Sequence, residues 1–302
     1  MKPCVFIHTN HKQYIGAIVS LHSMRRNSTN PDAFDVKLIE YETHKDFFKK
    51  YEGRSYSRDG DSRVWDPEDL QSFTPLRFMP PELMGYEGRA VVVDPDVFAV
   101  GDVWELFSRD LEGGAIGCRQ RGTPPHYASS VMLLECSKLR HWKLEKDFDA
   151  LFTGEREYKK WMNLGYEDPA TIKLIEPEWN DFDKLTPRTK MIHNTRRKTQ
   201  PWKSGLPVDF IPAESNLMNP VMLLNRLRRK LFGTYAFLGN YKEHPDERQT
   251  QLFFGYLKEC LDNGLVTEDL VKRHMAANHV RHDAFEVIER TPPIDQVLPK
   301  AA

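Results

Sequence analysis

The stretch RAVVVDPD, residues 89–96, decides the fold of the N-terminal part of this chain. Its apolar, β-branched run ends on Asp94 and Asp96, which flank Pro95. Such a run predicts a buried strand, and Pro95 keeps Asp94 extended, so that both carboxylates leave the strand on one face. Two oxygen ligands on one face suit a single divalent cation.

The residues that follow predict a short helix. Asp102 is a favoured N-cap residue, Glu105 comes three positions later, and Leu106 and Phe107 begin an apolar run. This spacing is typical of a capping box at the start of a helix.

Strands and helices alternate over the first two thirds of the chain. We predict strands at residues 2–9, 35–41, 114–118, 128–135, 173–175 and 191–193, and helices at 13–26, 137–152 and 155–164. The first strand, helix and strand have the spacing of a parallel crossover unit, which predicts an α/β sheet. The turn after the first strand lacks the glycine pattern of dinucleotide-binding folds, which disfavours a nicotinamide cofactor.

Two other regions have a different pattern. Residues 53–72 are polar and rich in turn formers, which predicts a mobile loop. After about residue 213 the pattern predicts helices only, at 220–232, 246–263, 267–279 and 283–289. We therefore expect an α/β domain over residues 1–215 and a helical extension over residues 216–302.

The composition limits the partners. The 302 residues carry 43 Lys+Arg and 44 Asp+Glu, a formal charge of -1. Without a block of like charges, a nucleic-acid partner is not expected.

No segment resembles a signal peptide or a membrane span, which predicts a cytoplasmic protein. A basic helix with Leu224, Leu227 and Leu231 on one face leaves two readings open, peripheral membrane contact and packing on its own domain.

A second polar segment follows the last predicted strand. His193 leaves that strand, and a cluster of basic residues and then Pro201 and Trp202 come after it. Two carboxylates and one imidazole suit Mn²⁺ or Mg²⁺ with a diphosphate completing the coordination shell, while Arg or Lys neutralises the remaining phosphate charge. The alternative is a solvated basic turn beside a core tryptophan.

Four segments together resemble the metal-dependent nucleotide-sugar glycosyltransferases of the GT-A fold, in particular family 8, the glycogenin and bacterial galactosyltransferase type. They are FTPLRF at 73–78, VVVDPDVFAVGDVWELF at 91–107, YASSVMLL at 127–134 and HNTRRKTQPW at 193–202. The resemblance covers roughly the first 215 residues. It implies a Rossmann-like α/β fold with a mixed, mostly parallel sheet flanked by helices, followed here by the all-helical extension.

The resemblance also implies roles for individual residues. The implied metal ligands are Asp94, Asp96 and His193. Donor contacts are implied for Arg77, Asp94, Lys198 at the diphosphate, Trp202, and His8, Thr9, Asn10 and Tyr14 near the base and ribose. Contacts to the sugar or acceptor are implied for Ser129, Ser130, Glu167 and Asp168, with Arg77 and Asp168 as the catalytic candidates. For the residues after the first strand, and for Glu167 and Asp168, the alternative is an ordinary polar loop.

This sequence departs from the family pattern in three places. Pro95 replaces the usual small residue between the aspartates, and Ala128-Ser129-Ser130 stands where the family has Asn-x-Gly. Arg196 stands where the late motif has glycine, and one extra residue precedes Pro201. These changes affect the implied sugar contacts and Lys198 more than the metal ligands.

The expected function is a hexosyltransferase that moves a sugar from a nucleotide-diphosphate donor, expected to be UDP-linked, to an unknown acceptor. The family resemblance implies retention of anomeric configuration. One rival is a sugar-phosphate nucleotidyltransferase, which should carry a glycine-rich loop where residues 8–14 have no glycine. The other rival is a non-catalytic protein that binds nucleotide sugars.

Overall fold

The computed structural model describes residues 1–123, 126–210 and 238–298, and within 211–237 only Leu224, Arg228, Leu231, Gly233 and Tyr235. The chain divides into two compact units, one built on Met1–Asn194 and one on Thr195–Val297. The predicted domain boundary at residue 215 lies outside the described residues, and that division stays a prediction.

A six-stranded sheet forms the centre of the first unit. In spatial order its strands are β2 (Asp35–Glu40), β1 (Cys4–Thr9), β5 (Arg89–Val93), β8 (Tyr127–Glu135), β7 (Ile116–Gln120) and β9 (Ile172–Leu174). β1 is parallel to β2 and β5, β8 is antiparallel to β5 and β7, and β9 is parallel to β7. The prediction of a mixed, mostly parallel α/β sheet is confirmed.

The central strands are buried on both faces. Val91 and Val93 of β5 pack in one apolar cluster, and Val92 packs in another on the opposite face. A strand covered on both faces must be apolar at every position, which explains the unbroken valine run. The carboxyl ends of β1 and β5, which are neighbouring parallel strands, therefore lie at the same edge of the sheet.

Two small sheets also belong to the first unit. One consists of β10 (Asp181–Phe182), β11 (Met191–His193) and β6 (Val97–Ala99), and the other is a hairpin of β3 (Ser55–Arg58) and β4 (Asp61–Val64). The prediction of a single loop over residues 53–72 is wrong for this hairpin. Asp59 and Gly60 both have positive φ, 58° and 79°, as a two-residue hairpin turn requires.

Six helices belong to the described part of the first unit. They are α1 (Tyr14–Arg26), α2 (Lys45–Lys49), α3 (Pro80–Leu83), α4 (Val103–Phe107), α5 (Leu144–Thr153) and α6 (Tyr158–Met162). The helix predicted over 137–152 begins only at Leu144, because Cys136–Lys138 form a 3₁₀ turn and the chain then turns again, with the amide of Trp142 bonded to the carbonyl of Leu139 at 3.0 Å. The helix predicted over 155–164 is also shorter, since Gly154 ends α5 in the left-handed conformation and Glu157 caps α6.

The described part of the second unit is helical, as predicted for this end of the chain. Its helices are α7 (Glu247–Asp262), α8 (Glu268–Ala276), α9 (Ala284–Arg290) and α10 (Ile294–Val297). The predicted basic helix over 220–232, with Leu227, lies largely outside the described residues, although Leu224 and Leu231 are exposed. Among the helices that the structure describes, none is both long and apolar enough to cross a membrane.

Candidate functional site

Asp94 and Asp96 lie in a tight turn directly after β5. The amide of Asp94 still bonds to Ser130 of β8 at 3.0 Å, whereas its carbonyl accepts from Val97 at 3.2 Å. Pro95 occupies the second position of this four-residue turn, where its fixed φ is favoured. The strand therefore ends at Val93 rather than continuing through Asp94, and the turn feeds the chain into β6.

The pairing of β6 with β11 brings His193 to the two aspartates. His193 lies opposite Val97 in this antiparallel pair, and the amide of Asn194 bonds to the carbonyl of Asp96 at 3.1 Å. One ligand atom from each of Asp94, Asp96 and His193 lies within 4.8 Å of the others. Among the described residues, these form the one group of three or more His, Cys, Asp or Glu side chains that could hold a metal ion.

The donor set and its spacing fit a hard divalent cation. Asp96 Oδ1 lies 3.3 Å from His193 Nε2. Octahedral ligands at the bond length of Mg²⁺ are separated by about 3.0 Å when adjacent and about 4.2 Å when opposite, so the spacing needs little adjustment. Two carboxylates and one imidazole are donors that Mn²⁺ and Mg²⁺ accept.

Arg77 and His8 hold the carboxylate of Asp94 from the protein side. Arg77 Nη2 donates to both oxygens of Asp94, at 2.8 and 3.1 Å, and His8 Nε2 lies 3.0 Å from Oδ1. Burial alone would raise the pKa of Asp94, but Arg77 and His8 outweigh it and bring that pKa to about 2. Asp94 is therefore anionic at neutral pH, as a metal ligand must be.

The two histidines of the site have opposite pKa shifts. Burial lowers the pKa of His8 more than Asp94 raises it, so His8 is neutral at pH 7. For His193 burial acts in the same direction, but the carboxylates of Asp96 and Asp94 outweigh it and raise the pKa. Without a cation, the negative charge of the two carboxylates therefore stabilises the proton on His193. A bound cation would balance the same negative charge.

Ser129 and Ser130 support this site from β8. Ser129 Oγ accepts from Arg77 Nη1 and donates to the carbonyl of Met162, whereas Ser130 Oγ accepts from Asn180 Nδ2. Neighbouring residues of a strand point to opposite faces, so each serine supports a different part of the site. The predicted contact of these serines with a sugar or acceptor stays a prediction.

The four donor residues predicted after β1 lie at its carboxyl end. His8 and Thr9 are fully buried, and Thr9 donates to the carbonyl of Asn10. Asn10 accepts from the amides of Lys12 and Gln13 at the start of α1, where half-buried Tyr14 begins the helix. Their predicted contact with a nucleotide is not tested by these positions.

Glu167 and Asp168 have partners within the protein. Glu167 accepts from the indole of Trp142 at 2.9 Å and lies 2.8 Å from His141 Nε2. Asp168 is exposed and caps a short 3₁₀ turn by accepting from the amide of Ala170. Their predicted roles at the sugar, and the catalytic role of Asp168, stay predictions.

Lys198 and Trp202 belong to the second unit. The exposed Lys198 accepts a backbone bond from Lys242 at 2.7 Å. Trp202 is buried and stacks on Phe253 of α7, with the ring centroids 4.8 Å apart. The packing of Trp202 matches the alternative of a core tryptophan, and the donor contacts predicted for both residues stay predictions.

One residue of the site was not predicted. Asn180 is fully buried between His193 and Ser130, and its carbonyl accepts from Arg119 at 2.7 Å. The only local signal is an amide side chain next to Trp179 and after Pro177, which looks like any turn.

No protein-family model and no curated protein matches this chain. Among solved structures, it is similar to the glycosyltransferase GlyE of Streptococcus pneumoniae TIGR4, with 15% identity and a TM-score of 0.48 over 76% of this chain and 64% of that chain. It is also similar to the galactosyltransferase LgtC, solved with donor and acceptor sugar analogs, with 13% identity and a TM-score of 0.46 over 66% of this chain and 89% of that chain. A third similar structure is mouse xyloside xylosyltransferase 1, with 14% identity and a TM-score of 0.45 over 65% of this chain and 99% of that chain. The match to GlyE thus spans less than two thirds of the length of that protein.

Proposed function

We propose that this chain is a metal-dependent glycosyltransferase that transfers a sugar from a nucleotide-diphosphate donor, UDP-linked in the first instance, to an acceptor hydroxyl. The observation that carries the proposal is the cluster of Asp94, Asp96 and His193 at the carboxyl end of the sheet. In open α/β sheets this edge is where ligands bind. The cluster leaves room for an anionic ligand because the three side chains supply fewer donors than Mn²⁺ or Mg²⁺ takes.

The residues around the cluster would hold it ready for a donor. Arg77 and His8 fix Asp94 as an anion, and the contact between Arg77 and Ser129 keeps the guanidinium beside it. A bound cation would supply positive charge against the developing negative charge of the leaving diphosphate. Arg77 is proposed to add to this charge at the reacting bond.

The proposed reaction exchanges one bond at the anomeric carbon for another. The acceptor oxygen bonds to that carbon, the bond to the diphosphate breaks, and the nucleotide diphosphate leaves with the bonding electrons. We propose retention of configuration, with the departing diphosphate taking the acceptor proton. An α-linked product from an α-linked donor, observed by NMR, would support this, whereas a β-linked product would require a general base.

The metal-dependent step is tested first by binding. Titration calorimetry of the wild type should show Mn²⁺ binding and Mn²⁺-dependent binding of UDP. Asp96→Asn should abolish both, because a neutral amide is a much weaker ligand for a hard cation. Asp32→Asn, a matched change at an exposed aspartate, should bind like the wild type.

Catalysis is then tested with a panel of nucleotide sugars and Mn²⁺. Release of nucleotide diphosphate should be slow onto water and faster with a suitable acceptor. Tight Mn²⁺-dependent binding without release for any donor would favour the non-catalytic binder instead. Undiminished Mn²⁺ and UDP binding by Asp96→Asn would refute the metal site.

A further inference from the structure

Both polar atoms of the Asn180 side-chain amide, Oδ1 and Nδ2, make hydrogen bonds within the protein. The residue ends a short 3₁₀ turn, Pro177–Asn180, and its side chain has no exposed surface. Nδ2 donates to Ser130 Oγ at 2.9 Å, and Oδ1 lies 2.9 Å from His193 Nδ1. In this orientation of the amide Nδ2 donates and Oδ1 accepts, whereas turning it by 180° would place the donor Nδ2 against His193 Nδ1.

In this orientation Asn180 favours a proton on Nδ1 of His193, whereas the carboxylate of Asp96 favours one on Nε2. Oδ1 can only accept, so Nδ1 of His193 must carry a hydrogen to bond with it. The neutral imidazole has one N–H, which leaves a lone pair on Nε2. Nε2 is the nitrogen that lies 3.3 Å from Asp96 Oδ1.

The ring of His193 is also held by packing. Phe182 meets it edge to face, with the centroids 5.6 Å apart, and Arg119 lies over the face of Phe182 at 4.1 Å. Arg119 also donates to the carbonyl of Asn180. Arg119 therefore contacts both the backbone of Asn180 and the phenyl ring that packs on His193.

We propose that Asn180, oriented by Ser130, is a positioning residue that fixes the tautomer of His193 and presents its Nε2 lone pair to a divalent cation. This inference rests on the proposed metal site. Ligand histidines commonly donate their second ring N–H to a fixed acceptor, and loss of that acceptor typically costs 10–100-fold in metal affinity.

The first test reads the tautomer without any metal. In ¹⁵N-labelled metal-free protein that carries Asp96→Ala, which removes the carboxylate competing for the ring proton, and at a pH where the ring is neutral, the protein with native Asn180 should show a protonated Nδ1 and an unprotonated Nε2 on His193. Asn180→Ala should shift the ring toward a mixture of the two tautomers. Asn180→Asp should retain the wild-type pattern, because its carboxylate also accepts from Nδ1–H.

The second test measures Mn²⁺ affinity by calorimetry or electron paramagnetic resonance. Asn180→Ala should bind Mn²⁺ about 10–100-fold more weakly, Ser130→Ala less severely, and Asn180→Asp close to the wild type. The matched control is Asn27→Ala, which removes a side chain that bonds two backbone carbonyls, Ser23 and Ala99, away from His193. Its Mn²⁺ affinity should equal that of the wild type.

The outcomes separate this inference from the proposed function. Unchanged Mn²⁺ affinity and an unchanged tautomer in Asn180→Ala would overturn the positioning role while the metal site stands. If Asn180→Ala fails to fold, Asn180→Leu, which has a similar volume but no acceptor, takes its place, and wild-type tautomer and affinity in that variant would overturn the positioning role. The same result in Ser130→Ala would overturn the role of Ser130. A wild type that binds no Mn²⁺ would refute the proposed metal site, and the tautomer shift would still decide whether Asn180 orients the ring.

Discussion

At the scale of single residues, Asp102 shows how one side chain fixes where an element begins. Its Oδ1 accepts from the amides of Trp104, at 2.9 Å, and Thr29, at 3.1 Å, and its Oδ2 accepts from the Thr29 hydroxyl. Burial alone would raise the pKa of Asp102, but these hydrogen bonds outweigh it and lower the pKa. The Asp102 cap predicted from the sequence is thus confirmed, with Thr29 as a partner that lies far away along the chain, whereas Glu105 bonds to Arg109 and Lys190 instead of completing the predicted capping box.

Replacing this cap should lower stability in a manner that depends on pH. Asp102→Ala should reduce the free energy of unfolding by about 1 kcal/mol at neutral pH, whereas Asp102→Asn, which can still cap, should lose less. The pKa of Asp102 is lower in the folded protein than in the unfolded chain, where it is about 3.9. Its ionised carboxylate therefore stabilises the fold fully above that unfolded pKa, and this stabilisation is lost as the pH falls through the folded pKa. Denaturant unfolding at several pH values should show the gap between wild type and Asp102→Asn narrowing below about pH 4. A gap that widens there would contradict the assignment.

The sequence predicted residues with local signals and missed one without them. Asp94 and His193 each come at the end of an apolar run, so their positions near strand ends were predicted, although Asp94 and Asp96 lie in the turn after β5 rather than in the strand. Asn180 was not predicted, because its partners at residues 130 and 193 come together only when β11 pairs with β6. Such pairing depends on contacts between distant segments, which a local pattern does not contain.

At the scale of elements, the hairpin of β3 and β4 is the clearest difference between prediction and structure. Its polar residues satisfied the pattern of a loop, yet Asp59-Gly60 is a strong signal for a two-residue hairpin turn. The strands pair from Ser55 with Val64 to Arg58 with Asp61, and Lys159 bonds to Asp59 at 2.6 Å. The amphipathic alternation that usually marks a strand is weak here, because Tyr56 packs against Trp65, Phe152 and Tyr158 while its neighbours in the two strands are mostly polar.

Gly60 should be the residue on which this hairpin depends. Its φ of 79° is costly for a residue with a Cβ atom, so Gly60→Ala should destabilise the hairpin by about 1 kcal/mol. Gly60→Asn should cost less, since asparagine tolerates the left-handed region better than alanine. Faster amide exchange at Tyr56 and Arg63, a hydrogen-bonded pair of the hairpin, in Gly60→Ala, with an intermediate rate in Gly60→Asn, would support this. Equal rates in all three proteins would show that the turn conformation does not limit hairpin stability.

At the scale of the whole molecule, both units have apolar cores, and the second unit also contains a buried arginine with two acidic partners. The first unit packs apolar strands and helices on both faces of a sheet. In the second unit Arg281, whose side chain is buried, bonds to Glu243 and Asp283, and its amide donates to the carbonyl of Trp202. The alternation of strands and helices predicted the first architecture from local periodicity, whereas these ion pairs could not be foreseen from composition.

The two units can be compared as places for a bound cation. The first unit has the cluster of Asp94, Asp96 and His193, and the second has the pair His274 and His279, whose Nδ1 atoms lie 3.3 Å apart. Mn²⁺ prefers oxygen ligands, so it should select the carboxylates and stabilise the strands that carry them.

Hydrogen exchange followed by mass spectrometry can locate that stabilisation. With free Mn²⁺ at 100 times its dissociation constant, linkage adds about 2.7 kcal/mol, and amides that exchange through unfolding of the first unit should slow about 100-fold. We expect this protection at β5, β8 and β11, and we expect it to vanish in Asp96→Asn but to persist in His274→Ala. Protection confined to α8, lost in His274→Ala, would instead place the bound cation at the histidine pair and refute the carboxylate site on which the proposed transfer chemistry depends.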